Sequence, residues 1–148
     1  MGACKMIEKT MFENDELVGE VRAVMRQRLQ RLGAGAYACL STAEGQLAVT
    51  TLDDQDKGAR YSALSSALLG LCETFCKEAI GESSGEACFS SGKGHAVLMR
   101  IELNGQLYQL CVVSSTGNNM ASVLRETRDM GSSVKRHIES GSTNTMPD

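Results

Sequence analysis

The sequence predicts an α+β domain in which a five-stranded antiparallel sheet lies between helical layers, in the order α-β-β-α-β-β-β-α. Three features carry this prediction. Three segments repeat apolar residues at spacings of three and four, the period of an amphipathic helix. Short runs of alternating or continuous apolar residues, bounded by glycine-containing turns, separate those segments. Asn104-Gly105 stands between two such runs, and that dipeptide is the strongest short-range signal for a two-residue hairpin.

The elements follow in order along the chain. Asn14, followed by Asp15 and Glu16, forms a helix start with acid in its first turn. Leu17, Val21, Val24, Met25, Leu29 and Leu32 then make the buried stripe, and Gly33 and Gly35 end the helix. Tyr37 to Ser41 and Gln46 to Leu52 read as a hairpin around Thr42-Ala43-Glu44-Gly45. Asp53, Asp54 and Asp56 lead into a second helix from about Ala59 to Ile80, closed by Gly81. Glu86 to Ser90 is a short strand, Gly92-Lys93-Gly94 a turn, and His95 to Leu103 and Gln106 to Ser114 are longer strands. The two-residue loop sets their register, with Ile101 opposite Tyr108, Met99 opposite Leu110 and Val97 opposite Val112 on one wholly apolar face. The other face pairs Leu98 with Cys111 and Ala96 with Val113 but also carries Arg100, Glu102 and Gln109. A third helix, about Asn118 to Ser140, presents Met120, Val123, Leu124, Thr127, Met130, Val134 and Ile138 on one side. Residues 13–140 are thus expected to form one domain, with residues 1–12 and 141–148 as flexible ends.

Composition narrows the function. The chain has 148 residues, 15 Lys+Arg against 18 Asp+Glu and a net charge of -3, so no field suited to nucleic acid is expected. Aromatic residues are 4% with no Trp, which leaves few platforms for stacking bases. Six cysteines (Cys4, Cys39, Cys72, Cys76, Cys88, Cys111) are scattered through apolar segments. With no signal-peptide pattern and no apolar run near membrane-spanning length, a reducing cytoplasm fits best.

The second helix holds the informative anomaly. Tyr61 to Cys72 is a stretch of consecutive residues without a single charge. One stripe, Leu64, Ala67, Leu68, Leu71 and Phe75, suffices to bury the helix on its sheet. The other side should then be polar and charged. Instead it carries Ser62, Ser66, Leu69 and Gly70, small residues for the most part, along which another backbone could approach closely. A chain of this size has no spare layer to cover that side, because the first and third helices are needed on the apolar sheet face. A second copy of the chain is the natural cover. Ala87-Cys88-Phe89 adds to this, since the strand carries no proline, inward charge or bulge to guard it at a sheet edge. The expected interface residues are therefore Ser62, Ser66, Leu69 and Gly70 on the helix and Cys88 and Phe89 on the strand.

No motif points to catalysis. Cys72-x-x-x-Cys76 places two thiols one helical turn apart, yet there is no Cys-x-x-Cys, and His95 and His137 have no ligand spacing between them. Inert buried thiols and a solvated His137 are expected. Ser91-Gly92-Lys93-Gly94 lacks the spacing and the strand-to-helix setting of a phosphate loop. Ser114 to Asn119 reads as a loop and helix cap. No catalytic residue, cofactor or metal ligand is assigned.

The element order, with Ala36-Tyr37-Ala38-Cys39-Leu40-Ser41-Thr42-Ala43-Glu44-Gly45-Gln46-Leu47 and the helix Arg60 to Leu71, resembles the Roadblock family of dynein light chains and bacterial small-GTPase regulators. The resemblance spans about Asn14 to Ser140. It implies a profilin-like sandwich that forms a homodimer, with second helices side by side and third strands paired into one sheet. It further implies a non-catalytic adaptor, or a regulator that binds a small Ras-like GTPase through the paired second helices. Arg60 and Tyr61 could touch such a partner. A small-ligand sensor domain of mixed αβ fold is the alternative, expected to show a polar cavity between sheet and helix, where Val97, Met99, Ile101, Leu110 and Val112 offer none. An enzyme based on Cys72 and Cys76 comes third.

Overall fold

The computed structural model describes residues 11–115 and 117–144. It contains helices α1 (Asp15–Leu29), α2 (Gln55–Ala79) and α3 (Met120–Asn144). The strands are β1 (Tyr37–Thr42), β2 (Leu47–Thr50), β3 (Glu86–Ser91), β4 (Gly94–Leu103) and β5 (Gln106–Ser115). They form one antiparallel sheet in the order β2-β1-β5-β4-β3, so β3 and β2 are its two edges. The predicted α+β architecture and element order are those observed.

Local chemistry places the boundaries. The Asn14 side chain accepts from the backbone N–H groups of Glu16 at 2.9 Å and Leu17 at 3.3 Å, capping α1. Asp54 does the same for α2 through Asp56 and Lys57. That cap starts α2 four residues before Ala59, the expected first residue, because Asp54 satisfies the first turn's donors itself. Before α1, Met11–Glu13 forms a 3-10 turn, and Phe12 packs edge-on against Tyr108 with ring centroids 5.3 Å apart. Phe12, within the segment expected to be flexible, thus lies against a core residue of the sheet. At the other end α3 runs on to Asn144, past the expected Ser140. The expectations for residues 1–10 and 145–148, Cys4 among them, lie outside the described residues.

The β4–β5 hairpin has the predicted register, with Ile101 opposite Tyr108, Met99 opposite Leu110 and Val97 opposite Val112. Asn104 (φ 51°) and Gly105 (φ 80°) supply the two left-handed residues that this turn requires. At the other hairpin a Cβ on Gly94 would overlap the carbonyl oxygen of Ser114 on the neighbouring strand, so the close approach of β4 to β5 demands glycine there.

Two unequal layers flank the sheet. On one face α1 and α3 cover Ala38, Leu40, Val49, Val97, Met99, Tyr108, Leu110 and Val112 in a continuous apolar core. Asn118 fastens that layer, its amide donating to the Leu32 carbonyl at 2.6 Å, and Asn119 accepts from the Ser122 N–H at 2.8 Å as the helix cap. On the other face α2 alone covers a smaller cluster, Cys39, Leu69, Leu98 and Cys111.

Candidate functional site

The residues under α2 reverse the expected orientation of that helix. Ser62 and Leu69 are fully buried against the sheet, with Gly58 and Ser65 on the same face. Leu64, Leu68, Leu71 and Phe75, the stripe expected to cover the sheet, are instead 55%, 42%, 69% and 67% exposed. Ser62 and Leu69 are therefore core residues and cannot line an interface. Ser66 is committed within the protomer too, since its Oγ donates to the Ala43 carbonyl at 2.8 Å. Gly70 is half-buried and open, with nothing beyond its own stretch of helix within 4 Å of where a Cβ would stand.

The physical reason lies in the sheet face that α2 covers. Arg100, Gln109, Ser41 and Thr50 make it partly polar, and it suits small residues at close range better than leucines. A Cβ on Gly58 would already meet Thr50 Cγ2 at 3.0 Å and Leu47 Cδ2 at 3.1 Å. Gln109 Nε2 donates to the Ser62 carbonyl at 3.3 Å. The small-residue stripe does receive another backbone, but it is the chain's own β1–β2 turn. Gly45, in the left-handed region at φ 97°, sits so close that its Cβ would lie 3.0 Å from Ser66 Cβ and 3.2 Å from Ala63 Cα.

What remains uncovered is an apolar ridge about three turns long. Leu64, Leu68, Leu71 and Phe75 recur at spacings of four, three and four, so they line one face, and Ala63 and Ala67 lie beside them in solvent. A contiguous apolar patch of this kind marks an interaction site. Beside α2 runs β3, one of the two edges of the sheet. Phe89, 37% exposed, projects from β3 on the α2 side, because it pairs with Ala96 and its neighbour Ala87 joins the cluster under α2. Cys88 pairs with Val97 and so lies on the α3 side, and it is exposed. At the start of α2, Tyr61 stacks on Tyr37 at 5.9 Å, with the Arg60 guanidinium 5.9 Å from the Tyr61 ring centre. Burial and the neighbouring Tyr61 push the Tyr37 phenol up to about 12, so it stays neutral.

The sequence matches no protein-family model, and no curated protein matches it. Solved structures do match. A structure described as MglB with tetrameric arrangement aligns with a TM-score of 0.69 at 12% identity, covering 84% of this chain and 91% of that one. Myxococcus xanthus MglB aligns at 0.66 and 14% identity, over 83% and 90% of the two chains. A Roadblock/LC7 domain from Streptomyces avermitilis aligns at 0.66 and 18% identity, over 78% and 95%. The fold is of the Roadblock type.

Within this Roadblock-type fold the thiols sort by depth. Cys39 and Cys111 are buried, and burial pushes Cys111 up to about 12 and Cys39 upward as well, so both stay protonated. Cys72 and Cys76 are half-buried on the flank of α2, not buried as expected. No group of three or more metal-capable side chains comes together among the described residues. No described helix is long and apolar enough to cross a membrane. His137, expected to be a solvated end of α3, reaches back to α1, its Nε2 lying 2.9 Å from Glu20 Oε1.

Two bidentate pairs fix the Roadblock sheet to its helices near the free edge. Arg100 on β4 donates from Nε and a terminal nitrogen to Glu73 of α2 at 2.7 and 2.8 Å. Arg128 of α3 grips Glu86 of β3 at 2.9 and 2.8 Å. Hydrogen bonds from Arg100 hold the Glu73 carboxyl below the usual glutamate range, and Arg128 does the same for Glu86. A carboxyl depressed in the folded state stabilises it fully above the unfolded value, about 4.3, and loses that contribution as pH falls through the folded value. The thermal midpoint should accordingly fall as pH drops below about 4.3, and Glu73→Gln should make that decline shallower while lowering the midpoint at pH 7. Melting curves from pH 7 to pH 2.5 check this.

Proposed function

We propose that the chain is a non-catalytic homodimeric regulator or scaffold that binds a small Ras-like GTPase through paired copies of α2. The observation that carries the reading is the exposed ridge Leu64, Leu68, Leu71 and Phe75, on the one helix that the fold leaves covered on a single side. A second copy fits better than a single foreign chain. The ridge adjoins an unguarded sheet edge, and both can be covered at once by their own symmetry mates in an isologous interface. Among the residues expected at that interface, Gly70, Cys88 and Phe89 stay in the proposal, and Leu64, Leu68, Leu71 and Phe75 replace Ser62, Ser66 and Leu69. Pairing the helices side by side creates a composite surface, with Arg60 and Tyr61 on it, that neither protomer has alone. A Ras-like GTPase is the partner that the Roadblock resemblance implies, and likeness to MglB structures supports it. The role is assigned to the cytoplasm, where unpaired thiols such as Cys88 stay reduced.

The ligand-sensor alternative finds less support. The space between sheet and helices is filled by Val97, Met99, Leu110 and Val112 on one side and by Cys39, Leu69 and Leu98 on the other. An open groove of about 1140 Å³ does exist, but it lies on the outer surface between α1 and α3, lined by Glu20, Arg28, Arg136 and His137.

The test uses purified small Ras-like GTPases of the source organism, each loaded with GDP or a non-hydrolysable GTP analogue and titrated by calorimetry. Saturable binding at one GTPase per dimer or per protomer, with affinity dependent on the nucleotide, is the expected result. Absence of binding across that set, with the protein shown to be dimeric, would sink the GTPase reading and leave the dimer standing.

A further inference from the structure

We infer that the two copies join their sheets in a single register, in which Cys88 of one β3 faces Cys88 of the other. The inference rests on the homodimer proposed above and adds to it the alignment of the seam. Symmetry and hydrogen-bond parity carry it.

Symmetry limits the alignments first. In an antiparallel pairing about a twofold axis normal to the sheet, each residue must oppose one whose side chain lies on the same face. Side chains alternate along a strand, so opposed residues differ by an even number. One residue of β3 therefore faces its own copy. Near the middle of Glu86–Ser91 that residue is Cys88 or Phe89.

Backbone polarity then chooses between them. The Arg100 N–H donates to the Gly85 carbonyl at 2.9 Å, which makes Gly85 and Arg100 a hydrogen-bonded pair of the β3–β4 ladder. Every second residue repeats that state, so Ala87, Phe89 and Ser91 turn their backbone groups toward β4. Glu86, Cys88 and Ser90 turn theirs to the open edge. With Cys88 on the axis, all three are used: Glu86 pairs with Ser90 of the mate, Cys88 with its copy, and Ser90 with Glu86, two bonds each. With Phe89 on the axis, only the Cys88–Ser90 pairs form within the strands, and Glu86 falls opposite Gly92 in the hairpin turn.

Side chains agree with this choice. On the α3 side the carboxylate of Glu86 meets a serine rather than another acid, and it is already held by Arg128. On the α2 side Ala87 meets Phe89, a small residue beneath a large one, in line with the exposed ridge. The two facing Cys88 residues form a hydrogen-bonded pair with Cα atoms about 5.5 Å apart, within disulfide reach. Residues at position 89 would then be about 8 Å apart, beyond the limit of about 7 Å.

Zero-length cross-linking separates the registers. The full-length chain carrying Cys4→Ala, Cys72→Ala and Cys76→Ala leaves Cys88 as its one exposed thiol besides buried Cys39 and Cys111. It is first shown to be dimeric by sedimentation, then treated with copper phenanthroline in air. Two thiols lose two protons and two electrons to dioxygen and form one S–S bond, which doubles the mass on a non-reducing denaturing gel. The same protein with Cys88→Ala and Phe89→Cys is the comparison. Cross-linking at position 88 should be roughly tenfold faster than at 89 and should slow by a similar factor when Leu71→Arg is added. Faster cross-linking at 89, or none at 88 in a protein that sediments as a dimer, would overturn the register and leave the dimer intact. Sedimentation as a monomer would instead overturn the homodimer, and the register with it.

Discussion

Leu71→Arg is expected to leave the protomer folded and to raise the dissociation constant of the dimer by at least about a hundredfold, near 3 kcal/mol. Leu71 is 69% exposed and contributes nothing to the cluster under α2, so the protomer has no packing to lose. In a symmetric helix pair the substitution acts twice, placing two guanidinium groups where apolar ridges would meet. Sedimentation equilibrium reads the result directly, with circular dichroism as the check that helix and sheet survive. An unchanged dimer would show that the ridge is not where the copies meet. Ser66→Arg, the substitution suggested by the small-residue stripe alone, makes a poor substitute. It would break the Ser66–Ala43 hydrogen bond and drive a long side chain into the β1–β2 turn, so it would report on folding.

Leu69→Ala should do the opposite. Leu69 is fully buried and is the one leucine that α2 inserts between Cys39, Leu98 and Cys111. Its truncation leaves a cavity in a layer with little else apolar to close around it, and it should cost about 2–5 kcal/mol, or roughly 6–15 °C in the thermal midpoint. Leu71→Ala, two residues away, should change the stability of a protein held monomeric by dilution by less than about 0.5 kcal/mol. Thermal melts of the two variants at low protein concentration compare the faces of one helix. Equal losses would mean that the orientation of α2 is not the one described.

These two neighbours show how far the sequence could be read. The three helices, the five strands and the β4–β5 register were legible because each depends on local rules: apolar period, capping side chains and the demands of a two-residue turn. The excess of uncharged surface on α2 was also legible, and so was the unguarded strand at Cys88 and Phe89. The direction in which α2 faces was not. Two stripes on the helix competed for the sheet, and the leucine stripe has the larger apolar area, which made it the natural choice for burial. One clue pointed the other way: Arg100 and Gln109 on the facing strands are polar positions that a leucine ridge covers badly.

The amino-acid order by itself therefore determined the elements, their sequence along the chain and the presence of too much apolar surface on one helix. Tertiary structure alone decided which side of that helix is core. Gly58, Ser62 and Ser65 let α2 descend onto a mixed polar face, and the Gly45 turn packs against Ser66, arrangements built from residues distant in sequence. Periodicity measures how apolar each side of a helix is. It cannot weigh one side against a surface that exists only after the sheet has formed, and that balance turned the leucines outward.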